Sequence, residues 1–183
     1  MRKVQRSDVV DFQTYNDRRD AFRQRVLAEK DKRRIHLGEH LTFLFESTDT
    51  ILYQVQEMMR LEQTVREKDI QHEIDTYNQL LGGPGELGCT LLIEIDDAKE
   101  RTEKLRAWLE LPAHLYLKLP DGTRAPAIWD PAQVGDTRLS SVQYLKFRVG
   151  SQAPVAIGSS HPQLEIESEL SEQQRQTLAA DLS

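Results

Sequence analysis

The spacing of apolar residues changes once along this 183-residue chain, and that change limits the fold more than any other feature. Up to about residue 110 the apolar positions recur every three or four residues. Phe12, Tyr15, Phe22 and Val26 make one such stripe. Ile51, Leu52, Val55, Met58 and Met59 make an arc about 120° wide at 100° per residue. Ile70, Ile74, Tyr77 and Leu81 make a third stripe. Beyond residue 111 the pattern turns to alternation. Leu164, Ile166, Ser168 and Leu170 alternate with Glu165, Glu167 and Glu169, the mark of a strand with one buried face. A helical stripe cannot serve as a half-buried strand, because the two periods place different residues on the core side. The spacing therefore predicts one α+β domain over 1–183, helix-rich in 1–110 and strand-rich in 111–183. Its mainly helical N-terminal half packs on a mostly antiparallel sheet from the C-terminal half. The alternative is two small domains meeting near Pro112.

Punctuation refines this plan. Two strands, Leu41–Glu46 and Cys89–Ile95, interrupt the helical half. Ser7 is placed to cap a short helix with Asp8 and Asp11 in its first turn, one of Ser47, Thr48 or Asp49 caps the helix after Glu46, and Asp96 or Asp97 a later one. Gly82-Gly83-Pro84-Gly85 stops the 67–81 helix, and Pro112 ends the helix that carries Leu105, Trp108 and Leu109. Leu115–Leu119 and Arg124–Trp129 flank the turn Pro120-Asp121-Gly122-Thr123. Val142–Val149 is a strong strand and Pro154–Gly158 a short one. Ser171 with Gln174 forms a capping box for a final helix.

Several classes are excluded. No apolar run approaches the roughly 20 residues of a membrane span, and no signal peptide opens the chain. The single cysteine, Cys89, forbids an intrachain disulfide and a cysteine-built metal site. A cytoplasmic protein is expected. The net charge of -6 is unevenly distributed. Residues 1–36 hold 11 Lys/Arg against 6 Asp/Glu, residues 37–150 hold 12 against 19, and residues 151–183 hold 1 against 5. The basic cluster of Arg18, Arg19, Arg23, Arg25, Lys30, Lys32, Arg33 and Arg34 could track phosphates. It could equally form a solvated helix face, or dock on the acidic tail of the same chain or of a partner subunit.

Candidate chemistry centres on residues 40–95. Thr42-Phe-Leu-Phe-Glu46 and Thr90-Leu-Leu-Ile-Glu94 share the pattern Thr-apolar-Leu-apolar-Glu. Were these strands parallel neighbours, Glu46 and Glu94 would stand together and could hold a hard cation or split their pKa values for acid–base work. Two helices between them predict an antiparallel pair instead, which separates the glutamates. Tyr53, Glu57 and Arg60 share the helix face opposite the apolar arc, and would become buried charges if that face were also covered. The candidate catalytic residues are thus Glu46, Glu57, Arg60 and Glu94. The candidate metal ligands are His40, Glu46, His72 and Glu94. His72-Glu-Ile-Asp75 lacks the second histidine of a zinc helix, and no nucleotide, thiol or serine-hydrolase motif is present. No cofactor is predicted.

The stretches His40-Leu-Thr-Phe-Leu-Phe-Glu46, Asp49-Thr-Ile-Leu-Tyr-Gln54, Gln56-Glu-Met-Met-Arg60 and Gln71-His-Glu-Ile-Asp75 resemble an uncharacterised bacterial family, domain-of-unknown-function family 3501. Thr76-Tyr-Asn78 and the Leu91–Glu94 strand are similar to it too. The resemblance covers nearly the whole chain. It implies a bacterial cytosolic protein and, because members of the family tend to be encoded near rubrerythrin-like and iron–sulfur oxidoreductase genes, a redox or peroxide-stress setting by association only. The family carries no assigned catalytic residues. The expectation is a non-catalytic accessory or binding protein, a homodimer with a possible redox-protein partner, not bound to a membrane. The alternatives are a small metal-dependent or acid–base enzyme using the 40–95 carboxylates and arginine, and nucleic-acid binding through helix 18–34.

Overall fold

The computed structural model describes residues 1–182. An extended arm leads into α1 (Phe12–Arg33), β1 (Arg34–Leu37), β2 (Leu41–Phe45), α2 (Thr48–Glu62), α3 (Glu67–Asn78) and β3 (Glu86–Ile93). There follow α4 (Ala98–Ala107), α5 (Leu111–His114), β4 (Leu115–Lys118), β5 (Arg124–Ile128), β6 (Val142–Arg148), β7 (Ala156–His161), β8 (Leu164–Glu169) and α6 (Glu172–Asp181). The eight strands form one sheet in the order β1-β2-β3-β6-β5-β4-β7-β8, and every pairing is antiparallel. The architecture is α+β, as the change of period predicts. Strands from both halves of the chain share the sheet, because β6 inserts between β3 and β5.

The sheet curls. In β5, Arg124, Ala125 and Pro126 pair with β4, whereas Ala127 and Ile128 pair with β6. The change of partner falls at Pro126, a residue with no N–H to give a ladder. The edge strands β1 and β8 approach one another, and the β1–β2 turn at Gly38 lies against Ile166 of β8. Phe43, Phe45, Leu91, Leu117, Phe147 and Ile157 point into the space so enclosed, where Trp108, Leu111 and Leu178 join them. Cys89 lies in this core, and burial pushes its thiol far above the ordinary value.

A second core joins the arm to α2 and α3 through Val4, Val9, Ile51, Val55, Met59 and Ile74. Two side-chain amides fix the arm. The Val4 N–H donates to Asn78 Oδ1 at 2.9 Å, and Asn78 Nδ2 donates back to the Val4 carbonyl at 2.9 Å. Gln56 does the same for Val10, at 2.8 and 3.1 Å. Each amide replaces the rung that a neighbouring strand would supply.

Several boundaries differ from expectation. Asp11, not Ser7, caps α1, accepting from the N–H groups of Gln13 and Thr14; residues 6–8 form a separate 3-10 turn. β3 begins at Glu86, three residues before Cys89, and β7 runs over Ala156–His161 rather than Pro154–Gly158. Pro112 sits within the first turn of α5, where its missing N–H costs nothing. Met58 of the apolar arc is only half-buried. The basic helix and the acidic tail meet within one chain: Arg33 donates to Asp181 at 2.5 and 3.0 Å, and Gln174 donates to the Arg34 carbonyl.

Candidate functional site

The polar face of α2 does not face water, because α1 lies across it. Tyr15 and Arg19, one turn apart on α1, reach Glu57. The Tyr15 hydroxyl donates to Oε1 at 2.7 Å, and Arg19 Nε and Nη2 donate to Oε1 and Oε2 at 2.7 and 3.0 Å. Arg60 Nη2, three residues along α2, donates to Oε2 at 3.2 Å. The Glu57 side chain is 14% exposed. Chiefly through the Arg19 hydrogen bonds, its carboxyl is lowered to about 2, against the opposing effect of burial. Burial and the Glu57 carboxylate push the Tyr15 hydroxyl well above its ordinary value. Arg60 Nε is buried with no hydrogen-bond partner among the described residues. The sequence reading of Glu57 and Arg60 as covered charges thus corresponds to a real cluster. A carboxylate that receives four donated bonds and is lowered to about 2 has its lone pairs engaged and stays ionised at neutral pH.

Farther along the same seam, Phe22 packs on Tyr53 with ring centroids 6.1 Å apart, and Lys30 Nζ lies 5.2 Å over the Tyr53 ring. Burial lowers the Lys30 ammonium, and the nearby Glu46 carboxylate opposes that shift. Glu46 is 8% exposed and accepts from Thr50 Oγ1 at 2.5 Å and from Thr90 Oγ1 at 2.6 Å.

Glu46 and Glu94 do not converge. β2 and β3 pair antiparallel, with Leu41 opposite Ile93 and Phe45 opposite Cys89. The two glutamates extend from opposite ends of the pair, about 20 Å apart from six residues at roughly 3.3 Å each. A shared cation is therefore geometrically closed to them. The repeated pentapeptide has another use. Thr42 Oγ1 donates to Glu94 at 2.5 Å, and Thr90 Oγ1 donates to Glu46. Each threonine serves the glutamate of the other strand, so two copies of one pattern satisfy each other about a local two-fold. With its proton given to Glu94, the Thr42 oxygen is free to accept from His36 Nδ1 at 3.0 Å.

The two candidate histidine ligands, His40 and His72, lie on different elements. His72 is exposed on α3. His40 stands at one mouth of the curled sheet, beside a cavity of about 480 Å³ that Trp108, Lys104 and Ile166 help to line. Lys104 Nζ is 2.6 Å from His40 Nε2, 3.0 Å from Glu100, and over the Trp108 ring at 5.4 Å. An ammonium donates to that nitrogen only when the ring is neutral with its proton on Nδ1. Among the described residues no three His, Cys, Asp or Glu side chains gather closely enough to hold a metal ion. No described helix is long and apolar enough to cross a membrane.

Sequence reasoning missed Tyr15, Arg19, Lys104 and both clamping amides. Tyr15 and Arg19 carried a signal, since Tyr15 belongs to the first stripe and Arg19 follows it by four residues, one helical turn. Asn78 and Gln56 carried none, because a polar residue on a helix looks solvated until its partner is known.

A family model described as Protein of unknown function (DUF3501) matches residues 3–182. Among solved structures, a novel protein of unknown function from Burkholderia pseudomallei K96243 is similar, with a TM-score of 0.91, 29% identity and 100% of each chain covered. No curated protein matches.

Proposed function

Since the chain belongs to the DUF3501 family of proteins of unknown function, we propose that it acts by binding rather than by catalysis, as a dimeric accessory protein of the bacterial cytosol. The observation that carries this reading is the state of the candidate acid–base groups. Glu57 is saturated, Glu46 is held by two threonines, and Glu94 lies at the far end of the sheet. An acid–base or metal-dependent enzyme on residues 40–95 needs them together. Nucleic-acid binding through residues 18–34 is weakened in the same way, because Arg19, Lys30 and Arg33 turn inward to Glu57, Tyr53 and Asp181.

A self-complementary contact has a natural place on the outer face of β5 and β6. Tyr144 and Val142 of β6 are 42% and 37% exposed, and Ile128 of β5 is 41% exposed. Tyr144 and Val142 are two apart and share a face, and Ile128 pairs with Lys146 on that face. An apolar cluster on a sheet face is a typical contact surface. A redox-protein partner is proposed on the family resemblance alone. Light scattering tests the dimer. The expected mass is twice 21.1 kDa at low and high salt, and Tyr144→Glu is expected to halve it with an unchanged circular dichroism spectrum. A wild-type monomer at both salts overturns the dimer.

A further inference from the structure

A cavity of about 450 Å³ opens between the N-terminal arm, α1 and α2. Its walls are Val10 of the arm, Tyr15 and Phe22 of α1, and Leu52 of α2. The Tyr15 hydroxyl is turned away to Glu57, so its ring is what packs here. Four polar side chains also reach the cavity: Asp8, Gln56, Arg18 and Arg25. Two of them are already committed. Gln56 is hydrogen-bonded at both ends of its amide to Val10, and Asp8 is paired with Arg2 at 2.6 Å. Arg18 and Arg25 have no carboxylate partner among the described residues. They lie seven residues apart on one side of α1, about 10 Å along its axis. Phe22 stands between them, with the Arg25 guanidinium 4.8 Å from its ring centroid. The polar atoms left to a ligand are therefore cationic, and the surface beside them is aromatic and aliphatic. The volume is that of a small-molecule site. The rest of the chain, residues 37–183, is strongly acidic, and of the described cavities with two arginines this one has the aromatic and aliphatic wall, whereas the one lined by Arg101 and Arg138 is largely polar.

We propose that this cavity binds an organic monoacid with an apolar body, an alkyl or aryl carboxylate or sulfonate. The acid group sits on the Arg18 and Arg25 guanidiniums, and the hydrocarbon lies against Phe22, Tyr15, Leu52 and Val10. Guanidinium suits this task because its forked donors match the two oxygens of a carboxylate. The site adds a ligand to the binding reading and does not depend on the dimer face, which lies on other elements.

Isothermal titration of the full chain with laurate tests it, with dodecanol as the uncharged control. Laurate is expected to bind one per chain with a Kd on the order of 10 μM. Dodecanol and the Arg18→Gln/Arg25→Gln variant should each bind at least tenfold more weakly. Both arginines are exposed, so the variant keeps its fold, and circular dichroism verifies that. Absence of laurate binding up to 1 mM (about a hundred times the expected Kd), equal binding of dodecanol, or equal binding by the double variant overturns the proposal. Light scattering on the same samples reports the dimer separately, so loss of laurate binding with the dimer intact sinks the ligand site alone.

Discussion

Glu57 shows what one residue does when its surroundings fix its charge. A carboxyl that titrates near 4.5 in the unfolded chain and near 2 in the folded one stabilises the folded state. That contribution is complete above about pH 4.5 and is lost as the pH falls toward 2. Urea unfolding across that interval should show the loss. Glu57→Gln removes the titrating group and leaves Arg19 and Arg60 without their anion. We expect it to lower stability at pH 7 by roughly 2 kcal/mol and to flatten the acid limb of the pH profile. A variant whose acid limb matches that of the wild type would show that Glu57 does not carry it. At this scale the sequence was half legible. The helix period placed Glu57 and Arg60 on one face, but the partners that make them structural come from α1, and no local rule names them.

At the scale of elements, caps, amides and ion pairs fasten pieces together. Asn78→Ala removes both hydrogen bonds to Val4 and leaves that backbone unpaired, at an expected cost of about 1–2 kcal/mol. Trypsin should then cut after Lys3 and Arg6 faster than in the wild type, while cleavage elsewhere is unchanged. Arg33 and Asp181 are 7% and 8% exposed. Removing one charge of so buried a pair is expensive, so Asp181→Asn should lower stability by roughly 2–3 kcal/mol. Hydrogen exchange should quicken over residues 172–181 before it does so in the sheet. Element existence was largely readable here, since α2, α3 and the β4–β5 hairpin follow directly from spacing and turn residues. Ends were less so. Ser7 and Asp11 are both acceptable caps, and the choice between them is made by the arm, whose route is set by Asn78 and Gln56.

At the scale of the whole molecule the sheet order decides everything, and it was not legible. Alternation says which residues face the core but not which strand lies beside which. The insertion of β6 between β3 and β5 pairs it with β3 residues 50 (Leu92 with Val142) to 62 (Glu86 with Arg148) positions away, a pairing that no periodicity encodes. The antiparallel β2–β3 pair was the exception, because the two intervening helices fixed the direction of return. Close approach at Gly88 holds this arrangement together. A Cβ there would lie 1.9 Å from the Leu80 carbonyl oxygen, where α3 ends against the sheet. Gly88→Ala should therefore unfold the protein at a clearly lower temperature, with loss of the β3–β6 register in exchange measurements. A melting temperature unchanged within a degree or two would mean that the α3 terminus yields freely.

The two amide clamps have a kinetic side. The arm they hold supplies Val10 and Asp8 to the wall of the basic cavity, and side chains of α2 and α3 tie it down. Residues 1–10 can come away while α1 keeps its Asp11 cap, every later helix keeps its hydrogen bonds and the curled sheet stays shut. Traffic into and out of that cavity would then run on the clock of a small local opening rather than that of global unfolding. Residence times there would be set by the bonds that hold the arm, the four at Val4 and Val10 together with the Arg6–Glu67 pair and the Thr48 bond to the Arg2 carbonyl, a dial separate from the affinity that the arginines provide.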